Sequence, residues 1–315
     1  MGRTIRFSSA NDTFTQGNSF QNTELTLFMG AGDDRVFLDR DDDFGGRNSV
    51  FAGLGNDIIH SLKEDGSVIR LGSGNDTYIG EGFGSFATER ADTVLGGAGN
   101  DRIIVTTFKS VYDGGSGNDR FFSFGQQNTF IGGKGTDTIS YQPRNDDPGR
   151  GGVTVDLLAG QTLTGANRIE TVRGIENVIG TNSDDVIGGT NGANVLEAAG
   201  GFDQMAGRGG ADRFVFRSVQ DAVVDAEFTD LILDFSSREG DRIDLRPIDA
   251  ASGIAGNQAF SFIGGQEFGG RQGQLRAERL QDGMLLELDV NGDGQADMHI
   301  GLVGVTAITA ADFLL

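Results

Sequence analysis

Among residue types able to do chemistry, aspartate alone recurs with regular spacing in this chain. "MGAGDDRVF", "AGLGNDII", "LGSGNDTY", "GGAGNDRI", "GGSGNDRF" and "GGKGTDTI" share a glycine-x-aspartate-x-apolar frame. Their acids are Asp34, Asp57, Asp76, Asp101, Asp119 and Asp137. The last three stand 18 residues apart, and the earlier spacings are 23, 19 and 25. Nine residues beyond Asp101 and Asp119 come Ser110 and Asn128, each followed two places later by an aromatic residue, Tyr112 and Phe130. A later block, Asp185, Asn194, Asp203 and Asp212, runs strictly nine apart. One glycine-aspartate pair is an ordinary tight turn. A phased set with the acid always at one place in its frame calls for a common cause.

That cause is a metal-binding turn. Glycines adopt positive φ and leave carbonyl oxygens uncovered by side chains. If 18 residues make one coil of a stack, successive aspartates lie about 4.8 Å apart along one edge. Two such charges repel by about 3 kcal/mol at an effective dielectric near 20. A cation that prefers oxygen reverses the sign. Calcium accepts six to eight oxygens in loose geometry, backbone carbonyls included, whereas magnesium keeps its waters. With no cysteine and two isolated histidines, a transition-metal site has no basis. Because Ser110 and Asn128 replace the acid on alternate turns, residues 94–140 are expected to bind calcium along one edge only.

Such turns must be held by short strands. In each nonapeptide about six residues turn and three run as strand. The apolar residue two places after each acid points inward: Val36, Ile59, Tyr78, Ile103, Phe121 and Ile139, then Ile187, Leu196, Met205 and Phe214. A fixed short period of this kind is the mark of a solenoid. The expected fold is all-β, a parallel β-roll followed by a C-terminal β-rich region. Its expected divisions are residues 1–150, a second repeat block over 151–220, and 221–315.

Composition agrees. The chain has 315 residues, 52 of them glycine, without the every-third-residue period of collagen. A hydrophobic content of 37% with 23 phenylalanines can form a packed interior. The net charge of −21 argues against a nucleic-acid partner and for cations. The absence of cysteine excludes disulfides and thiolate metal sites. No apolar run approaches membrane-spanning length, and "MGRTIRFSSA" lacks the apolar stretch of a cleavable signal.

The repeats resemble the RTX family of secreted proteins, whose nonapeptides read glycine-glycine-x-glycine-x-aspartate-x-apolar-x. "GGAGNDRII", "GGSGNDRFF" and "GGKGTDTIS" match in full. The resemblance implies calcium at Gly96, Gly97, Gly99 and Asp101, at Gly114, Gly115, Gly117 and Asp119, and at Gly132, Gly133, Gly135 and Asp137. Asp34, Asp57, Asp76, Asp185, Asp203 and Asp212 are candidates in less complete turns. Residues 153–189 resemble a linker-and-repeat unit of such proteins. "LILDFSSREGDRIDLRPIDA", "AFSFIG" and "DVNGDGQADMHIGLVGVTAITAADFLL" are similar to the C-terminal domain of serralysin metalloproteases. The likeness implies several calcium ions, an extracellular location, and export by a type I secretion apparatus reading an uncleaved C-terminal signal. Asp312-Phe313-Leu314-Leu315 suits such a signal.

Serralysins also carry a zinc-protease domain with a His-Glu-x-x-His helix. His60 and His299 form no such motif, and neither has a serine partner for a triad. No enzyme activity is expected. The reading is a secreted calcium-binding β-roll that folds on meeting extracellular calcium. The alternatives are an adhesion, polysaccharide-binding or surface-layer module, and less favourably a membrane-acting toxin fragment. Residues 289–300 place Asp289, Asn291, Asp293 and Asp297 at EF-hand spacing, but Ile300 stands where a bidentate glutamate belongs. A hairpin turn is expected there. The acid run 39–46 is expected to be a solvated insertion.

Overall fold

The computed structural model describes residues 2–17, 24–38, 47–62, 66–81, 91–146, 151–165, 168–222 and 229–315. The acid run 39–46 and most of the insertion 81–90 lie outside the described residues. The chain forms two compact units, Met1–Arg144 with Gly160–Ile175, and Asn145–Ala159 with Glu176–Leu315.

The first unit is a parallel β-roll. Strands Thr26–Ala31, Ser49–Leu54, Val68–Ser73, Thr93–Ala98, Val111–Ser116 and Thr129–Lys134 pair in sequence order to form one sheet. Strands Arg35–Leu38, Ile58–Ser61, Thr77–Gly80, Arg102–Val105, Arg120–Ser123 and Thr138–Ser140 form the other. Thr4–Arg6 and Thr13–Thr15 add a coil at the start. Ile169–Arg173 pairs with Thr129–Lys134 at the far end.

Alternation along each strand explains the core. In "TVL", "VYD" and "TFI" the central residue faces in: Val94, Tyr112 and Phe130 are fully buried. Ile103, Phe121 and Ile139 face them from the second sheet in strict register. Phe121 meets Phe130 edge-on at 5.5 Å between ring centroids, and Tyr112 stacks on Phe130 at the same distance. All ten residues expected to point inward do so, each no more than 1% exposed.

One expectation is corrected. In the complete coils of the first unit, strands of six residues alternate with strands of three or four, instead of three residues in every nonapeptide. The longer strand continues through the glycines because they stack in register, Gly97 on Gly115 on Gly133. A Cβ on Gly115 would meet the Gly97 carbonyl of the neighbouring coil. Only glycine lets the backbones pair this closely.

In the repeats of the second unit the strands are three residues long, as the nonapeptide count predicts. Thr154–Asp156, Val186–Gly188, Gln204–Ala206 and Asp230–Ile232 pair in parallel. Opposite run Asn177–Ile179, Val195–Glu197, Arg213–Val215 and Arg242–Asp244, with Phe313–Leu314 beside the last. An antiparallel meander of Gln274–Leu280, Gly283–Asp289 and Met298–Val303 joins the first of these sheets. The segment with EF-hand spacing is the hairpin turn between the last two strands. Asp289 accepts hydrogen bonds from the N–H groups of Gly292 and Gly294, and Asp297 accepts one from Val290. Among the described residues no helix is long and apolar enough to cross a membrane.

Candidate metal centre: the aspartate edges

In the first unit every Gly-x-Asp corner lies on the same edge, between a long strand and the short one that follows. Two ladders run along it in opposite senses. The N–H groups of Asp12, Asp34, Asp57, Asp76, Asp101 and Asp119 each donate to Oδ1 of the aspartate one coil ahead, at 2.6–2.8 Å. The preceding residues reach backward. The N–H groups of Asp33, Asn56, Asn75, Asn100, Asn118 and Thr136 donate to the Oδ1 one coil behind. Adjacent residues thus tie each coil to both neighbours.

The inner ladder uses one oxygen of each carboxylate. The other, Oδ2, is buried with no hydrogen-bond partner in Asp34, Asp57, Asp76, Asp101 and Asp119. Its surroundings are backbone. A Cβ on Gly96 would collide with Asp101 Oδ2 and the Gly114 carbonyl, one on Gly114 with Asp119 Oδ2, and one on Gly132 with Asp137 Oδ2 and the Gly174 carbonyl. Gly97, Gly115 and Gly133 have φ between 101° and 112°, and Gly99, Gly117 and Gly135 between 127° and 136°. The second carboxylate oxygens of Asp101 and Asp137 thus lie near the backbone carbonyls of Gly114 and Gly174, in space that only glycine at 96 and 132 leaves open.

Burial without a counter-charge disfavours the ionised form. It lifts Asp57 and Asp76 to about 6 and Asp101 to about 7, against the lowering effect of the ladder hydrogen bond. Asp34 and Asp119 are raised for the same reason.

The opposite edge of this unit is built differently. Ser110 N–H donates to Asn128 Oδ1, Asp92 N–H to Ser110 Oγ, and Asn48 N–H to Ser67 Oγ. Most of its side chains are neutral. At its end Glu170, fully enclosed, takes hydrogen bonds from Ser123 and Asn128, and burial raises it to about 7.

In the second unit the nine-residue block alternates between edges, because nine residues are half a coil. The ladder on one edge runs from Asp185 to Asp203 and on to Asp230, and on the other from Asn194 to Asp212 and on to Asp241. Asp212 is thereby separated from Asp185 and Asp203. Oδ2 is buried without a partner in Asp203, Asp212 and Asp230. Burial, reinforced for Asp203 by the charge of Asp230, raises Asp203 to about 9, Asp230 to about 8 and Asp212 to about 7.

Four ladder acids escaped sequence reasoning. Asp12 has the Asn-Asp-Thr-aromatic string of Asp76 but lacks its glycines. Asp92 lies nine residues before Asp101, so counting backward would have found it. Asp230 lies two nonapeptides after Asp212, so continuing the nine-residue count would have found it, though on the wrong edge; Asp241 falls outside the count, although Gly240-Asp241-Arg242-Ile243 retains the local frame.

Among the described residues no three acidic or histidine side chains converge as a metal cluster. A cation on these edges would take most of its ligands from backbone carbonyls, with few carboxylates. That donor set is all oxygen, which fits calcium and suits metals that favour nitrogen or sulfur poorly.

Comparison with known proteins places this architecture. Residues 28–315 match the family described as peptidase M10 serralysin C terminal. No curated protein matches. The extracellular lipase LipA from Serratia marcescens, a crystal structure, is 16% identical with a TM-score of 0.26. That alignment covers 87% of this chain and 46% of the lipase, so the chain spans under half the length of that protein. The family match concerns the serralysin C-terminal region and brings no protease domain with it. On a match spanning nearly the whole chain, the protein belongs to the serralysin C-terminal family.

Proposed function

We propose that this protein is a secreted, non-enzymatic calcium-binding β-roll, with calcium ions seated between successive coils on the aspartate edges. One observation carries the reading. Asp34, Asp57, Asp76, Asp101 and Asp119 repeat at coil spacing, each with one buried carboxylate oxygen lacking a hydrogen-bond partner. A buried acceptor left unmatched costs about 1–3 kcal/mol, more if charged. Repetition over five coils marks a design feature that an oxygen-seeking cation satisfies.

The ligands at one such site are Asp101 Oδ2 with the carbonyls of its own glycine turn and of Gly114. Extracellular modules bind calcium near 10⁻⁴ M, so about 1 mM calcium adds roughly 1.4 kcal/mol per site. At far lower cytosolic calcium the carboxylate column opposes coil stacking, which leaves the roll only weakly folded and eases its passage through an exporter. Membership of the serralysin C-terminal family supports type I export.

Titration calorimetry together with circular dichroism tests the reading. Calcium uptake and a gain of β-structure on moving from chelator to about 1 mM calcium are expected. No uptake, or the same fully structured spectrum in chelator, overturns it.

A further inference from the structure

The corner that starts at Gly189 departs from the others. Asn194 stands where the neighbouring repeats carry an acid, and its Nδ2 donates to the Glu176 carbonyl at 2.6 Å. Arg208 Nη1 donates to the Gly189 carbonyl at 2.5 Å and lies 2.8 Å from Asp156 Oδ1. The guanidinium also packs against Gly188, where a Cβ would come within 3.0 Å of Arg208 Nη2. Two carbonyl oxygens on this edge are thus already taken by side-chain N–H donors.

The position of Arg208 is itself unusual. It lies four residues before Asp212, as Gly97, Gly115 and Gly133 lie before Asp101, Asp119 and Asp137. Its φ is 72°, a conformation that side chains with a Cβ rarely adopt; Ala199, four residues before Asp203, shares it at 73°, but there the side chain is a single methyl. Its N–H donates to Asp234 Oδ2. Glycine would fit here without strain, so a long cationic side chain at this place calls for a reason. Arginine stays charged under all conditions and presents several donors in a fixed fork. The guanidinium also holds Asp156 below the usual carboxylate range.

We propose that Arg208 is a built-in cation of the second unit, its guanidinium taking the place of a metal ion at the Asn194 corner. This corner therefore holds its coils together without calcium, whereas the acidic corners need the ion. The inference rests on the calcium reading for the acidic corners only. It makes Arg208 a positioning residue and predicts that calcium dependence is uneven along the chain.

Hydrogen exchange of the full chain in chelator, read over residues 186–197 and 94–105, tests it. Segment 186–197 is expected to exchange about tenfold more slowly than 94–105. Arg208→Gly relieves the backbone strain, so a merely tolerated arginine would leave protection unchanged or increased. The proposal predicts the reverse, with exchange over 186–197 rising to the level of 94–105. The double variant Asn194→Asp with Arg208→Gly rebuilds an acid-and-glycine corner. By native mass spectrometry it should hold one more calcium than the wild type at about 1 mM. Unchanged protection in Arg208→Gly, or, where the wild type does hold calcium, an unchanged ion count in the double variant, overturns the proposal. A wild type that holds no calcium would sink the calcium reading alone, since the exchange comparison in chelator does not depend on it.

Discussion

The backbone N–H of Asp101 donates to Oδ1 of Asp119 at 2.8 Å, while Oδ2 of Asp119 is buried without a hydrogen-bond partner. One carboxylate therefore has two separable tasks, a hydrogen bond between coils and a share in a cation site. Asp119→Asn keeps a carbonyl acceptor for the ladder and removes the charge. It should lower the calcium count by one or two ions and, because a buried charge is removed, raise the melting temperature in chelator at neutral pH. Asp119→Ala removes both, and should also destabilise the metal-free protein by about 1–3 kcal/mol through the orphaned Asp101 N–H. Calorimetry and thermal melts of the pair separate the tasks.

Acid should stabilise the metal-free roll. Asp57, Asp76 and Asp101 rise in the folded state to about 6, 6 and 7 from an ordinary value of 3.8. A raised folded value gives stability that is full below pH 3.8 and lost as pH climbs through 6 to 7. In chelator the melting temperature should therefore fall between about pH 5 and pH 8. With saturating calcium the trend should reverse, since protons compete with the ion. A flat or rising profile in chelator contradicts the proposed burial of these carboxylates.

The two edges of the first unit should behave differently. Ser110→Ala and Asn128→Ala remove rungs of the neutral ladder and should leave the calcium count unchanged, as measured by native mass spectrometry. Loss of bound calcium in either variant, with the fold intact by circular dichroism, would place ions on both edges.

The core should be sensitive because it is only two side chains thick. Phe121 is fully buried and meets Phe130 edge-on. Phe121→Ala should cost about 3–5 kcal/mol in saturating calcium, read from denaturant melts. A loss below about 1 kcal/mol would mean that neighbouring coils collapse into the cavity.

Much of this was legible in the sequence because a solenoid repeats its local rules. The position two residues after each acid identifies Val36, Ile59 and Phe121 as core, since turn and strand alternate with one period. An insertion hid Asp241 by breaking that period and moved Asp230, still on the nine-residue count, to the edge of Asp203; missing glycines hid Asp12. The direction of the ladders could not be read at all, because it depends on where each backbone N–H points. Arg208 was invisible for another reason. A charged residue in a glycine-rich turn reads as solvated, and only the stacking of the coils brings its guanidinium against the Gly189 carbonyl. The six-residue strands through Gly97 and Gly115 were missed because glycine ordinarily signals the end of a strand.

The most direct test compares calcium uptake by the wild type with that of a triple variant, Asp101→Ala, Asp119→Ala and Asp137→Ala, by titration calorimetry near millimolar calcium. The account predicts saturable uptake by the wild type, at least three fewer ions in the variant, and a lower calcium-dependent rise in melting temperature. Identical stoichiometry and identical melting shifts in the two proteins would contradict it.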